Sequence, residues 1–107
     1  MRITATRVID GDTIEGEFFK KILEVEVRFT THFRLFGIDA PEKNRAETKE
    51  AGLASMEYLK QRIEGKKVKV KLLGKDKYGR WLAYVFFEGV NINDELVEKG
   101  YAIYRTY

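Results

Sequence analysis

A single segment with helical periodicity interrupts a chain whose other apolar residues mostly alternate with polar ones. Between Thr48 and Ile63, the apolar residues Met56, Leu59 and Ile63 recur at the spacing of one helix face, and Gly65 follows as a C-terminal stop. Elsewhere the period is close to two residues, which is typical of half-buried β-strands. The sequence therefore predicts strands on both sides of one amphipathic helix, and this order restricts the folds that the chain can adopt.

Five strands and a second, shorter helix are predicted around this segment. The strands cover Ile3 to Ile9, Thr13 to Phe19, Leu23 to Phe36 (one strand, or two with a bulge), the alternating run "KKVKVKLLG", and Trp81 to Phe87. The second helix covers Asp94 to Lys99, with Asn93 as its N-cap and Gly100 at its end. This order matches a five-stranded Greek-key β-barrel of the OB type, mainly β, with the long helix between strands 3 and 4 and the short helix near the C-terminus.

Composition predicts one domain spanning residues 1–107 and restricts the kind of metal it can hold. Hydrophobic residues make up 44% of the chain, which is enough to form one core. A net charge of +3 is too small to identify a nucleic-acid-binding protein. With no cysteine and only His32, a metal would need mainly oxygen ligands, as calcium, magnesium or manganese do. The N-terminal "MRITATRVID" runs directly into a strand pattern, so we expect neither a signal peptide nor a membrane span.

Two acidic segments are candidates for a functional site, and each also has a purely structural interpretation. Asp10-Gly11-Asp12-Thr13 is a common hairpin-turn sequence. "RLFGIDAPE" places Arg34 at a strand end with Asp39 and Glu42 just beyond it, and Pro41, the only proline, restricts the backbone of this loop. A stiff loop suits a site, but it is also compatible with solvated acids around a proline.

The segment "KDKYGRWLAY" adds Arg80 at the start of a strand, where it serves either a site or a surface ion pair. The lysines at 67, 69 and 71 are typical of a solvated strand face, and His32 is expected to have no chemical role. Tyr101, Tyr104 and Tyr107 either stack on bases or belong to the core.

The combination is more informative than its parts. Two aspartates and a glutamate offer hard oxygen ligands and a base, while two arginines offer planar donor groups that match phosphate oxygens. A cation site, an anion site and a base together indicate phosphodiester hydrolysis.

The order and spacing of five motifs resemble the staphylococcal nuclease family, also called thermonucleases or micrococcal nucleases. The motifs are "VIDGDT" at 8 to 13, "FRLFGIDAPE" at 33 to 42, "AGLAS" at the start of the helix, "DKYGRWLAYV" at 76 to 85, and "NDELVEKGYA" at 93 to 102. Together they cover nearly the whole chain. The resemblance implies an OB-type barrel that carries a calcium-dependent nuclease site, with another divalent cation as an alternative to calcium.

The resemblance also implies a role for each site residue. Asp12, Asp39 and the carbonyl of Ala40 are the implied calcium ligands, Arg34 and Arg80 bind phosphate, Glu42 activates or positions the attacking water, and Lys77 and Tyr78 contact a nucleotide phosphate. The implied reaction cleaves the bond between phosphorus and the 5′ oxygen of DNA or RNA and leaves 3′-phosphates. Loss of either arginine is expected to reduce the rate strongly without unfolding the protein.

The sequence departs from the family's best-known member in the segment between Thr13 and Arg34, which is longer here. We expect the hairpin at 16–30 to protrude, with substrate guidance and self-association both left open in a protein that we otherwise expect to be a monomer. The long C-terminal helix of that member is not expected here, so the tyrosines near Tyr107 are not matched to its base-stacking tyrosines. The alternative function is a non-catalytic nucleic-acid-binding OB module, although the complete set of site residues argues against it.

Overall fold

The structure, a computed structural model, describes residues 1–106 and contains eight strands and two helices in that range. The elements are β1 (Arg2–Asp10), β2 (Thr13–Ile22), β3 (Val25–Leu35), β4 (Ile38–Asp39), α1 (Lys49–Ile63), β5 (Lys67–Lys75), β6 (Trp81–Phe87), β7 (Val90–Asn91), α2 (Ile92–Glu98) and β8 (Ile103–Tyr104). The five predicted strands correspond to the five long ones, and both predicted helices are present. The sequence analysis missed the three two-residue strands, which are too short to show a period.

The five long strands form a barrel-like sheet. Their order is β3-β2-β1-β5-β6, with β7 beyond β6, and an additional parallel pairing between β3 and β6 joins the two ends of this order. The other pairings in this sheet are antiparallel. This topology confirms the predicted OB fold, with α1 between the third and fourth long strands.

Alternate residues of the strands point into the barrel and form its core. Val68 and Val70 are 2% exposed, whereas the lysines between and beside them are exposed, as the alternation predicts. Helix α1 covers one side of the barrel through a buried face made of Gly52, Ser55, Leu59 and Ile63. The first two of these residues are small, so this end of the helix approaches its neighbours closely. Neither helix in residues 1–106 is long and apolar enough to cross a membrane.

The predicted hairpin at 16–30 forms a two-stranded ribbon. Strand β2 pairs with β3 over its whole length, from Thr13 to Ile22, but the described pairing of β2 with β1 reaches only Glu17. The turn at Leu23 and Glu24 has positive φ values of 51° and 68°, and Leu23 is 92% exposed. Substrate guidance and self-association stay the two alternative roles of this ribbon in a protein predicted to be a monomer.

The predicted N-cap of α2 is wrong. The cap is Asn91, whose side chain accepts a hydrogen bond from the backbone N–H of Asp94 at 3.1 Å. Asn93 is instead 1% exposed: its side-chain oxygen accepts from Val85 N–H at 3.0 Å, and its amide nitrogen donates to the carbonyls of Phe36 and Ala83. Asparagine is a favoured residue at helix N-caps, which is why the sequence predicts a cap at Asn93. The structure uses this side chain differently, because buried backbone groups near β6 need a hydrogen-bond partner.

Replacing Asn93 by alanine is expected to lower the free energy of unfolding by about 3 kcal/mol, because the change removes the side-chain acceptor of the buried Val85 N–H and opens a cavity. The same change at Asn91 is expected to remove about 1 kcal/mol, the usual loss for an N-cap. Urea denaturation of the two variants measures both values. Equal losses would contradict the different roles of the two side chains.

Candidate active site

The polar residues singled out in the sequence surround one open pocket of about 780 Å³ at an end of the barrel. The pocket lies where the β1–β2 turn, the end of β3, the loop after β4 and the loop before β6 meet. All eight predicted site residues line it: Asp12, Arg34, Asp39, Ala40, Glu42, Lys77, Tyr78 and Arg80. Three motifs that are distant in the sequence therefore meet on one surface.

Two glycines allow the walls of this pocket to approach each other. A Cβ atom at Gly11 would lie 2.6 Å from the Cβ of Ser55 and 2.8 Å from that of Ala40. At Gly52 it would lie 2.5 Å from the backbone nitrogen of Lys43. Both sites exclude a side chain, so α1 packs directly against the β1–β2 turn and the backbone of the loop that carries Glu42. This packing explains the glycine in the "AGLAS" motif.

Arg34 lies between the two aspartates. It is 8% exposed, and its Nη2 donates to Asp39 Oδ1 at 2.5 Å and lies 3.4 Å from Asp12 Oδ2. The same Asp12 oxygen accepts from the backbone N–H of Ala40 at 2.9 Å, which ties the β1–β2 turn to the loop after β4. A charge buried between two carboxylates is fixed in place, because moving it would leave those carboxylates unpaired.

Asp76 holds Arg80 on the opposite wall. Its Oδ2 accepts from Arg80 Nε at 2.7 Å, and its Oδ1 accepts from the backbone N–H groups of Arg80 and Tyr78. Burial acts to raise the pKa of the Asp76 carboxyl, but the hydrogen bonds from Arg80 and Tyr78 outweigh it and hold this pKa below its usual value. The sequence allowed Arg80 either a place in a site or an ion pair. The structure shows the ion pair with Asp76, and this pair also orients the Arg80 guanidinium within the pocket.

Glu42 has the most accessible carboxylate of the site. Its side chain is 69% exposed and contacts Arg45 at 3.5 Å. The loop itself is held more firmly, because the Thr48 hydroxyl donates to the Glu42 carbonyl at 2.6 Å and Lys43 Nζ donates to the carbonyl of Ile9 at 2.5 Å. An exposed carboxylate on an anchored loop can reach water and substrate.

Lys77 and Tyr78 lie on the same loop as Arg80. Tyr78 is 71% exposed, and its ring packs 5.3 Å from Lys77 Nζ and 5.4 Å from the Arg80 guanidinium. These two cation–ring contacts bring positive charge and an aromatic ring together at the pocket.

The residues implied as calcium ligands carry the type of donor atom that calcium binds. Asp12, Asp39 and the carbonyl of Ala40 provide only oxygen, which calcium prefers. Among residues 1–106, no group of three or more His, Cys, Asp or Glu side chains is placed to hold a metal ion. Since calcium takes about six to eight oxygen ligands, water or substrate oxygens would have to complete the shell.

Sequence reasoning missed three residues that support the site. Arg105 Nη1 donates to Asp39 Oδ2 at 2.8 Å across 66 positions of sequence, and no local pattern signals this contact. Lys43 anchors the loop that carries Glu42 and lies 3.4 Å from Asp10. Asp76 stands within the quoted motif "DKYGR", so its spacing of four from Arg80 was the available signal.

The other candidates lie elsewhere. His32 is on β3, where its Nε2 lies 3.7 Å from a Glu15 oxygen. The Tyr101 ring stacks on Tyr58 with centroids 4.4 Å apart and packs against the core, whereas Tyr104 is 60% exposed and donates to Asp94. Tyr107 lies outside the described residues.

A sequence model of the family described as "Staphylococcal nuclease homologue" matches residues 32–107, which include the end of β3 and the later elements. Three curated relatives extend the similarity over nearly the whole chain. An uncharacterized endonuclease of Escherichia coli is 37% identical over 103 residues, covering 94% of this chain and 60% of the relative. One of Haemophilus influenzae is 41% identical over 102 residues, covering 94% and 51%. Endonuclease Htp3 of Saprolegnia parasitica is 32% identical over 123 residues, covering 98% and 56%. The chain thus spans a little over half the length of these relatives.

Proposed function

The chain belongs to the staphylococcal nuclease family, and on this premise we propose that it is a calcium-dependent nuclease that hydrolyses phosphodiester bonds of DNA and RNA. The observation that carries the proposal is the meeting of Arg34, Glu42 and Arg80 with two aspartates in one pocket. The endonuclease names of the relatives support the class of reaction. The calcium requirement and the 5′ P–O position of cleavage rest on the motif resemblance and the donor types of the pocket.

The proposed reaction is a displacement at phosphorus. Glu42 takes a proton from a water molecule, the water oxygen bonds to phosphorus, and the bond from phosphorus to the 5′ oxygen breaks. The 5′ oxygen takes a proton from solvent and the protonated Glu42 returns its proton to solvent, so the products are a 3′-phosphate and a 5′-hydroxyl. Glu42 suits the role of base because its carboxylate is exposed at the pocket while its loop is anchored.

The two arginines stabilise the additional negative charge on the phosphoryl oxygens. Arg80 engages Asp76 through Nε, and its terminal nitrogens form no hydrogen bond with another side chain in residues 1–106, so they remain available for phosphate. Arg34 is fixed by Asp12 and Asp39 before substrate binds, which limits reorganisation during the reaction. Calcium held by Asp12, Asp39 and the Ala40 carbonyl would supply further positive charge to the phosphate.

Digestion of single-stranded DNA and RNA tests the proposal directly. We expect cleavage with calcium, none with chelator, and products with 3′-phosphate ends by mass spectrometry. Binding without cleavage under every divalent cation tested would overturn the nuclease proposal and favour the non-catalytic binding module.

Changing Asp39 to asparagine is expected to raise the calcium concentration for half-maximal activity tenfold or more, because the charge of one ligand is lost. Activity at saturating calcium should fall less than the affinity. The matched control is Glu98→Gln on α2, which removes an exposed carboxylate outside the pocket. An unchanged calcium midpoint for the Asp39 variant would show that this residue is not a ligand.

A further inference from the structure

A second surface carries the lysine alternation that the proposed catalysis does not use. We call it the basic face, and it consists of Arg2 on β1, Lys67, Lys69 and Lys71 on β5, and Tyr84 and Phe86 on β6. The four basic residues are exposed, and the two rings are half-buried. Arg2, the three lysines and Phe86 line an open groove of about 770 Å³.

Strand pairing concentrates positive charge on this face. Arg2 lies directly opposite Lys69, which in turn lies opposite Phe86, and Lys71 lies opposite Tyr84. Successive lysines of β5 are about 6.6 Å apart along the strand, since each residue advances about 3.3 Å. Side chains at these positions share one outer surface, so four cations and two rings occupy a small area.

The cations of the basic face lack acidic partners. No ion pair within residues 1–106 involves Arg2, Lys67, Lys69 or Lys71. Glu88 is the one carboxylate among the described residues that line the groove. Like charges opposite each other on neighbouring strands destabilise a sheet. A polyanion lying across this face would remove that repulsion.

The basic face continues into the candidate active site along β6. Leu82, Tyr84 and Phe86 point to the same outer surface because side chains alternate along a strand. Leu82 lines the active-site pocket and Phe86 lines the basic groove, with Tyr84 between them. A nucleic-acid strand bound in the pocket can therefore run along β6 to the lysines of β5.

We propose that the basic face binds the backbone phosphates of the single-stranded nucleic acid whose scissile phosphate lies in the active-site pocket. The inference rests on the proposed function and extends it to a second contact, several nucleotides from the reaction. Lysines along an extended strand suit the repeating phosphates, and the half-buried rings of Tyr84 and Phe86 offer aromatic surface on which unpaired bases can stack. The partner class is single-stranded because the stacking partners require unpaired bases.

A binding experiment in the Glu42→Gln background tests the inference without cleavage. The test variant carries Lys67→Gln, Lys69→Gln and Lys71→Gln, and the control carries the same change at the exposed lysines Lys20, Lys49 and Lys60. The probe is oligothymidylate of about 12 nucleotides, within the site sizes of single-strand-binding barrels. The plot of the logarithm of the association constant against the logarithm of the salt concentration has a negative slope. The steepness of this slope should decrease by about 2 for the test variant, since each of three lost phosphate contacts contributes about 0.7. The control should fall by less than half as much.

Equal slopes for the test and control variants would overturn the inference. Binding of each variant to vesicles of anionic phospholipid is measured in parallel, and a test variant that loses affinity for the vesicles but not for oligothymidylate would also overturn it. Because like charges are removed, the urea midpoint of the test variant should be unchanged or higher, so weaker binding cannot come from unfolding. With Glu42 restored, kcat/KM should fall on the long substrate and stay unchanged on a dinucleotide. If neither substrate is cleaved, the proposed function fails, while the binding slope still decides the role of the basic face.

Discussion

Replacing Glu42 by glutamine is expected to lower kcat on single-stranded DNA by about a hundredfold to ten-thousandfold, the range for loss of a general base. The amide keeps the size of the side chain but cannot accept the proton from water. Folding should be unaffected, because the Glu42 side chain is 69% exposed and, within residues 1–106, forms an ion pair only with the exposed Arg45. Nucleic-acid affinity with calcium should also be retained, and single-turnover cleavage together with fluorescence anisotropy measures both quantities.

Glu47 provides the matched control for this variant. It is an exposed glutamate five positions further along the chain, and it does not line the pocket. Glu47→Gln removes the same charge and should change kcat by less than about twofold, well within the effect of an ordinary surface substitution. A comparable loss of activity in both variants would attribute the effect to the net charge of the loop rather than to a base at Glu42.

Replacing Arg34 by glutamine is expected to reduce both activity and stability. Loss of one preorganised charge stabiliser lowers kcat by about a hundredfold to a thousandfold. The same change leaves Asp12 and Asp39 without their shared buried cation, which should lower the free energy of unfolding by about 3 kcal/mol. This value is at the low end for a buried pair because Asp39 is 28% exposed and keeps Arg105. The sequence alone predicts a loss of rate without unfolding; the burial of Arg34 changes this expectation.

Urea denaturation and cleavage rates per folded molecule separate the two effects. Arg28→Gln is the control, since Arg28 is a 66% exposed arginine paired with Glu17 at 3.5 Å, and it should change stability by less than about 1 kcal/mol. Arg34→Lys keeps the charge but loses the planar donor group, so it should recover part of the stability and little of the rate. Full stability in Arg34→Gln would show that the aspartates do not depend on this cation.

Much of the site could be predicted because its residues stand in short motifs at the ends of strands. Asp12 lies in the β1–β2 turn, Arg34 is near the end of β3, and Arg80 precedes β6, so the fold order alone places them near one end of the barrel. The assignment failed where one residue type serves two purposes. Asn93 has the composition of a cap but is used as a buried hydrogen-bonding group, and only the packing of β6 against α2 distinguishes these uses.

The sequence by itself determined the five long strands and the long helix, because residue periodicity and turn preferences act over a few neighbouring positions. Its motifs also singled out the residues that line the pocket. Only the tertiary structure decided that β3 pairs with β6, that Arg34 is buried between Asp12 and Asp39, and that Arg105 reaches Asp39. It also decided that Lys69 of β5 lies opposite Arg2 and that the basic face continues along β6 to the pocket. These features depend on contacts between residues far apart in the chain, and burial and charge pairing are set only when the barrel brings them together.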